Sequence, residues 1–156
     1  MSKTHVNGGA QVAQFEVVAT EAVAWVLTRN RLDKFAFMER FFEAPSVAAE
    51  FPRLGQTNER IGEFAASSAE NSATNLAALL RKGGAYRGFK GTQDDVVKLA
   101  NQFMSAVCEA RFPETTAWTN DSAWAQWFRN VAWDASYFWF DTRRGIATIL
   151  LITDTD

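Results

Sequence analysis

Three aspartates near the end of the sequence have the types and spacing that could do chemistry. Asp134 precedes a β-rich run at 135–140, and Asp154 and Asp156 follow a second run at 146–153. In an antiparallel hairpin of these runs, same-parity residues share a face, so the three carboxylates would meet at its open end. They could hold Mg²⁺ or Ca²⁺, or one could act as a catalytic acid. The alternative, which we favour, is a solvated acidic strand end that discourages edge aggregation.

Nucleophilic catalysis and transition-metal binding commonly use histidine and cysteine, which are rare in this chain. It contains one histidine, His5, and one cysteine, Cys108. A nucleophile needs a base within hydrogen-bond reach, and a structural zinc site needs four Cys or His ligands. His5 lies in a polar segment that we expect to be mobile, and Cys108 lies in a predicted helix. We therefore expect a protein that is not an enzyme and that has no cofactor.

A basic, glycine-rich segment at 81–91 could bind an anion. Its candidate side chains are Arg81, Lys82, Tyr86, Arg87 and Lys90. Glycines let the backbone approach a phosphate, and the tyrosine could stack on a nucleic-acid base. The favoured alternative is an interhelical loop, in which Arg81 and Lys82 complement the C-terminus of the preceding helix. Nucleic acid and phosphate-bearing ligands are therefore alternative partners, and not the favoured ones.

The predicted C-terminal hairpin is apolar on both faces. With Phe140 opposite Ile146, one of its faces carries Tyr137, Trp139, Ile149 and Leu151. A sheet covered on one side should alternate apolar with polar residues, and a lone two-stranded sheet is marginal. Something must cover the second face: the chain's own helices, an N-terminal strand at 15–18, a second copy or another protein. We take these four residues as candidate partner-binding residues, because Trp and Tyr are typical interface anchors.

Helical periodicity describes most of the remaining chain. Apolar residues recur at three-and-four spacing over 10–27, 31–43, 58–80, 93–107 and 121–131. The small, polar stretch 67–75 leaves three possibilities for the third helix: it is solvated there, it is broken there, or a neighbour packs closely against it. The strand at 15–18 stays an alternative within the first of these, because that stretch is rich in β-branched residues. Thr92–Asp95 matches a capping box at the start of the fourth helix. The expected fold is α+β: a mostly helical single domain with a C-terminal antiparallel β-hairpin, which an N-terminal strand could complete.

Length and charge limit the remaining choices. A chain of 156 residues is one domain by the usual prior, and we expect a disordered lead over 1–9 before a globular domain over 10–156. The net charge of −2 gives no general attraction to nucleic acid or to anionic membranes. One cysteine excludes an intrachain disulfide, and the N-terminus lacks the apolar region of a signal peptide. We therefore expect a soluble, cytoplasmic protein without a membrane partner.

These observations favour a small non-enzymatic binding protein. Its size, mild acidity and lack of catalytic residues suit an inhibitor or immunity-type protein, whose partner is another protein or its own copy. The aromatic C-terminal helix and hairpin would make the contact. Two alternatives remain: a nucleic-acid or phosphate binder that uses the 81–91 segment, and a divalent-metal enzyme that uses the hairpin carboxylates.

Overall fold

A single antiparallel sheet of five strands runs through the centre of the molecule. The computed structural model describes residues 4–5, 7–18, 20–29, 31–32, 34–109 and 111–155. The strands are β1 (Gly9–Glu16), β2 (Ala65–Ser68), β3 (Thr115–Asn120), β4 (Ala135–Asp141) and β5 (Ile146–Thr153). Their order across the sheet is β1-β5-β4-β3-β2, so β4 and β5 lie inside the sheet and β1 forms one of its edges.

In the described part of the chain, five α-helices pack on this sheet. They are α1 (Glu21–Thr28), α2 (Phe37–Glu43), α3 (Pro45–Glu50), α4 (Ala69–Lys82) and α5 (Gln93–Cys108), with 3₁₀ helices at Glu59–Glu63 and Phe112–Glu114. The predicted capping box of α5 is confirmed, because the Thr92 hydroxyl accepts from the Asp95 N–H and the Asp95 carboxylate accepts from the Thr92 N–H. Within the described ranges, none of the helices has the length and apolarity that a bilayer span requires.

The helices cover both faces of the sheet, which creates two separate cores. Phe138, Ile149 and Leu151 belong to the core under α1, α2 and α3. Trp139 and Ile152 belong to the core under α4 and α5. Both faces of β4 and β5 are buried, so apolar residues are favoured at every position. This explains the continuous apolar runs of these two strands.

The prediction of a mostly helical domain with one hairpin is wrong, because strands occur in three further regions. The stretch predicted as a helix over 10–27 is β1 followed by α1, and the Thr20 hydroxyl caps α1 by accepting from the Val23 N–H at 3.3 Å. The helix predicted over 58–80 divides into a 3₁₀ turn, β2 and α4. Strand β2 reads Ala-Ala-Ser-Ser and has no β-branched residue, so strand propensity gives no sign of it.

The helix predicted over 121–131 is also absent. That segment is an irregular connection between β3 and β4, although its Trp124 and Phe128 side chains are buried as the helical pattern required. The Trp124 carbonyl accepts a hydrogen bond from the Asn58 N–H at 2.9 Å, and its indole N–H donates to the Ser136 hydroxyl at 2.8 Å. Contacts with distant residues thus provide hydrogen-bond partners for both the backbone carbonyl and the indole N–H of Trp124. A helix would have provided a partner for the backbone only.

The register of the C-terminal hairpin differs by one residue from the predicted one. Phe140 lies opposite Ala147, and Asp141 lies opposite Ile146. The turn fixes this register, because the Asp141 carboxylate accepts from the backbone N–H groups of Arg143 and Arg144 at 3.0 and 2.8 Å. A shift of one residue moves side chains to the other face of the sheet.

Candidate protein-binding site

The four residues predicted to bind a partner are all buried. The register shift separates them into two pairs on opposite faces of the sheet. Tyr137 and Trp139 pack under α4 and α5, whereas Ile149 and Leu151 lie in the core under α1, α2 and α3. They therefore do not form one surface, and the chain's own helices cover both pairs.

The two hairpin carboxylates that the structure describes, Asp134 and Asp154, have separate hydrogen-bond donors. Asp134 accepts hydrogen bonds from the Thr153 hydroxyl at 2.5 Å and the Val131 N–H at 3.1 Å. Asp154 is also buried and has its own, separate donors. Asp156 lies outside the described residues. In the part of the chain that the structure describes, no group of three or more His, Cys, Asp or Glu side chains could hold a metal ion. The two described aspartates instead hold nearby chain segments in place.

Asp154 joins three segments that are distant in sequence. One carboxylate oxygen accepts from the Asn7 N–H at 3.0 Å, and the other accepts from the Ala85 N–H at 2.8 Å. Asn7 belongs to the segment predicted as a disordered lead; of that segment, residues 1–3 and 6 lie outside the described residues. A side chain at Gly84 would collide with the Asp154 carboxylate and the Thr4 carbonyl, so glycine is required at this close approach.

His5 and Cys108, for which the sequence does not favour a catalytic role, lie in different parts of the fold. Both side chains are buried. Cys108 is the last residue of α5, and burial raises the pKa of its thiol. The thiol is therefore held in its protonated form, which is the poorer nucleophile. This arrangement favours a packing role for Cys108.

The basic segment at 81–91 is only partly available to a ligand. Arg81 donates to the Gln93 side chain, and the Lys82 ammonium donates to the Ala132 carbonyl at 2.6 Å. Three candidate side chains are exposed and have no hydrogen bond or ion pair with the described residues: Tyr86, Arg87 and Lys90. Anion binding by this segment stays a prediction.

A polar cavity of about 390 Å³ lies at the end of β4 beside Tyr137. Burial raises the pKa of Tyr137 to about 12, and the charge of Asp121 adds to this effect. The phenol therefore stays protonated near neutral pH and can act as a hydrogen-bonding group. Asn75 and Ser136 also line the cavity, together with the carboxyl side chains of Glu63 and Asp121.

The most distinctive surface feature is an apolar cavity of about 320 Å³ between α1, α2 and the chain that leaves β1. It is lined by Val17, Thr20, Ala22, Val23, Val26, Phe35, Phe37, Arg40 and Phe41. Arg40 is the charged member of this lining. Its side chain is exposed and makes no hydrogen bond or ion pair with any residue that the structure describes. An apolar cavity with a small number of polar or charged groups at its wall is typical of a binding site.

Three exposed apolar side chains lie in or next to the lining of this cavity: Phe35 is part of it, Trp25 contacts Phe35, and Val18 follows Val17. Val18 is 88% exposed, Phe35 is 61% exposed and Trp25 is 37% exposed. The Trp25 and Phe35 rings meet edge to face at 6.0 Å, and the Arg29 guanidinium lies 5.5 Å from the centre of the Trp25 ring. We call Val18, Trp25 and Phe35 the α1–α2 patch. Exposed apolar groups that lie together mark interaction surfaces more often than single exposed residues do.

The backbone beneath this patch is strained. Phe35 has a φ angle of 59° and Ala36 one of 48°, so two consecutive residues with side chains take the left-handed conformation. This conformation costs about 1–2 kcal/mol per residue. The Phe35 ring is mostly exposed and gains little burial in return. Strain of this kind is concentrated at functional sites, so it supports a role for the ring at the cavity mouth.

The sheet supports the floor of the cavity. The Phe41 ring packs against the rings of Phe138 in β4 and Phe15 in β1, with distances between ring centres of 5.4 and 5.7 Å. The Val17 N–H donates to the Gly145 carbonyl at 2.8 Å and continues the pairing of β1 with β5. The cavity therefore rests on the central sheet through Phe41, while Val17, Thr20 and Phe35 of its lining belong to connecting chain.

Sequence reasoning missed this site for a specific reason. The predicted helix over 31–43 placed Phe35 on its buried stripe, whereas α2 begins at Phe37 and leaves Phe35 in the connection. Trp25 did carry a signal, because it lies outside the apolar stripe of its predicted helix. A large aromatic residue on the polar side of a helix is a candidate interface residue.

Neither a protein-family model nor a curated protein matches the sequence. The fold is similar to a crystal structure of citrus MAF1, with a TM-score of 0.49 and 10% sequence identity. The similarity covers 94% of this chain and 87% of that chain. At this level it assigns neither a family nor a function.

Proposed function

We propose that this protein is a non-enzymatic binding protein that contacts another protein through the α1–α2 patch and the cavity beneath it. The observation that carries the proposal is the exposure of Phe35, and of Trp25 in contact with it, at an apolar cavity whose lining includes Arg40, a side chain without a hydrogen-bond or ion-pair partner among the described residues. An apolar side chain of the partner would enter the cavity. An acidic group beside it would pair with the guanidinium.

The form of the surface favours a protein over a small molecule as the partner. A small ligand would fill the cavity and leave Val18, 88% exposed, in water. A protein can fill the cavity with one anchor residue and cover the surrounding rim at the same time. The rim also includes Arg29, whose guanidinium stacks on Trp25 and could pair with a second acidic group.

The charge at the cavity sets the expected specificity. Arg40 is available for a charge-assisted, two-pronged hydrogen bond to a carboxylate, which is the strongest geometry for such a pair. Apolar walls on one side reduce the competing hydration of the pair. A partner segment with an aromatic or large aliphatic residue near Asp or Glu therefore fits this site.

Selection from a random-sequence peptide display library tests the proposal with a defined probe. We expect the enriched peptides to share a large apolar residue close to an acidic one. Their affinity should fall about tenfold or more with Trp25→Ala, and similarly with Phe35→Ala. Arg40→Glu should abolish binding, and replacing the acidic residue of the peptide by lysine should restore it to this variant.

Arg87→Glu is the matched control, because it reverses a charge at another exposed arginine, in the 81–91 segment. This control should bind the selected peptides as the unmodified protein does. If no peptide is enriched, or if Arg87→Glu weakens binding and Arg40→Glu does not, the proposal is wrong. Enrichment of peptides without any acidic residue would remove the role given to Arg40.

A further inference from the structure

The edge of the sheet at β1 is long and lacks the usual protection. Among the described residues, β5 is the only strand that pairs with β1, and the pairing runs from Gly9 to Glu16 without a bulge. The strand reads Gly-Ala-Gln-Val-Ala-Gln-Phe-Glu and contains neither lysine nor proline. Proteins usually shield such edges with charges, proline, bulges or a covering element. The opposite edge, β2, has only four residues.

The hydrogen bonds show which backbone groups of β1 point outwards. The Val17 N–H donates to the Gly145 carbonyl, and these two residues continue the β1–β5 register. Residues of an antiparallel strand alternate between pairing with one neighbour and facing the other side. Odd-numbered residues of β1 therefore bond to β5. The N–H and C=O groups of the four even-numbered residues face outwards: Ala10, Val12, Gln14 and Glu16.

The side chains of the same four residues are exposed, whereas those of the odd-numbered residues are partly buried against the core under α1, α2 and α3. Val12 is 53% exposed and lies beside the buried Leu150 of β5. Among the described residues, no backbone partner faces the outward donor and acceptor of these four residues. Their side chains are small, apolar or amide, except for the charged Glu16 at the end of the strand.

We infer that β1 pairs with β1 of a second copy of this chain, antiparallel across a two-fold axis, and so joins two sheets into one. Each hydrogen-bonded pair must join two outward-facing residues, and these are all even-numbered. The two-fold axis must therefore pass through a residue and not between two residues. An axis at Ala13 sets Val12 opposite Gln14 of the other copy and Ala10 opposite Glu16. This register pairs the backbone groups of all four outward residues.

Self-complementarity favours a second copy as the occupant of this edge. In the register centred on Ala13, the charged Glu16 faces an alanine, so no like charges meet. The small Ala13 side chain lies on the axis, where the two strands approach most closely. No residue of the α1–α2 patch takes part, so this inference and the proposed function stand independently.

Light scattering coupled to size exclusion, over a range of protein concentrations, tests the inference on the full chain. The unmodified chain should form a dimer. Val12→Pro should be a monomer with an unchanged circular dichroism spectrum, because the N–H that it removes faces away from β5. Val12→Thr, which keeps the N–H and the β-branched shape, is the matched control and should stay dimeric.

Amide hydrogen exchange gives a second measurement that requires no variant. Protection of Ala10, Val12, Gln14 and Glu16 should rise with protein concentration. The amides of Gln11, Ala13 and Phe15 should be protected at every concentration, because they bond to β5. A chain that stays monomeric throughout, or a dimer that Val12→Pro leaves intact, would overturn the inference. Selected peptides should still bind Val12→Pro, which separates failure here from failure of the proposed function.

Discussion

The indole N–H of Trp139 donates a hydrogen bond of 2.9 Å to the hydroxyl of Ser72, and both side chains are buried. The Ser72 hydroxyl in turn donates to the Ser68 carbonyl at 3.0 Å. This pair joins α4 to the centre of the sheet. It also explains the small polar residue at position 72, because a larger side chain there would displace the indole.

Replacing Ser72 by alanine leaves the Trp139 indole N–H buried and without an acceptor. An unsatisfied buried donor costs about 1–3 kcal/mol, so we expect Ser72→Ala to lower the free energy of unfolding by that amount. Urea denaturation followed by tryptophan fluorescence measures it. Thr74→Ala, on the exposed side of the same helix, is the control and should change stability by no more than about 0.5 kcal/mol. Equal losses for the two variants would show that the hydrogen bond contributes nothing specific.

Asp141 should make stability depend on acid pH. Burial raises the pKa of this carboxyl, but hydrogen bonds from the Arg144 backbone and from the Arg111 and Arg144 side chains outweigh burial and lower the pKa to about 2. Because the folded pKa lies below the ordinary value of 3.8, the stabilisation is complete above that value and is lost as the pH falls from 3.8 towards 2.

The corresponding variant is Asp141→Asn. It should remove about 2 kcal/mol of stability at neutral pH and flatten the stability profile between pH 4 and pH 2. Unfolding free energies measured across this range test both effects. Glu50→Gln, at an exposed position, should leave the profile as steep as in the unmodified chain. A profile equally steep in Asp141→Asn would mean that another group is responsible.

Asp154 should stabilise the fold without binding a metal. Both of its carboxylate oxygens already accept backbone N–H groups, from Asn7 and from Ala85. We expect Asp154→Ala to cost about 3 kcal/mol, because hydrogen bonds to charged groups contribute about 1.5–3 kcal/mol each. Thermal unfolding with millimolar Mg²⁺, Ca²⁺ or Mn²⁺ should show no rise in Tm. A metal-dependent rise that disappears in Asp154→Ala would contradict this account.

The strained connection before α2 predicts a substitution that stabilises the protein. Glycine adopts a φ angle near 48° without the steric cost that alanine pays there. Ala36→Gly should therefore raise the free energy of unfolding by about 1 kcal/mol. Ala78→Gly, in the middle of α4, should lower it by about 1 kcal/mol. If both substitutions destabilise the chain to the same extent, Ala36 is not strained.

Structural features that depend only on residues close together in the sequence could be predicted. Thr92 and Asp95 lie three positions apart and form the capping box, whatever the rest of the chain does. Strand β2 could not be predicted, because its Ala-Ala-Ser-Ser sequence becomes a strand only through pairing with β3, about fifty positions later. The hairpin register depended on the Asp141 carboxylate closing the turn, which a pattern of apolar residues does not reveal.

The proposed binding site could not be predicted for the same reason. Phe35 fits a helical stripe as well as any buried residue does, and only the true start of α2 shows that it lies outside the helix. The cavity requires α1, α2 and β1 to meet, so no single segment contains its pattern. Nothing in the sequence marks Arg40 as a binding residue. Only the structure shows that its side chain has no partner among the described residues.

An amide NMR titration with a peptide from the library selection tests the proposed function most directly. Chemical-shift changes should be concentrated at residues 17–26 and 35–41, which form the cavity and the α1–α2 patch, and should vanish in Arg40→Glu. Changes concentrated at 81–91 instead, or changes that persist unaltered in Arg40→Glu, would contradict the account.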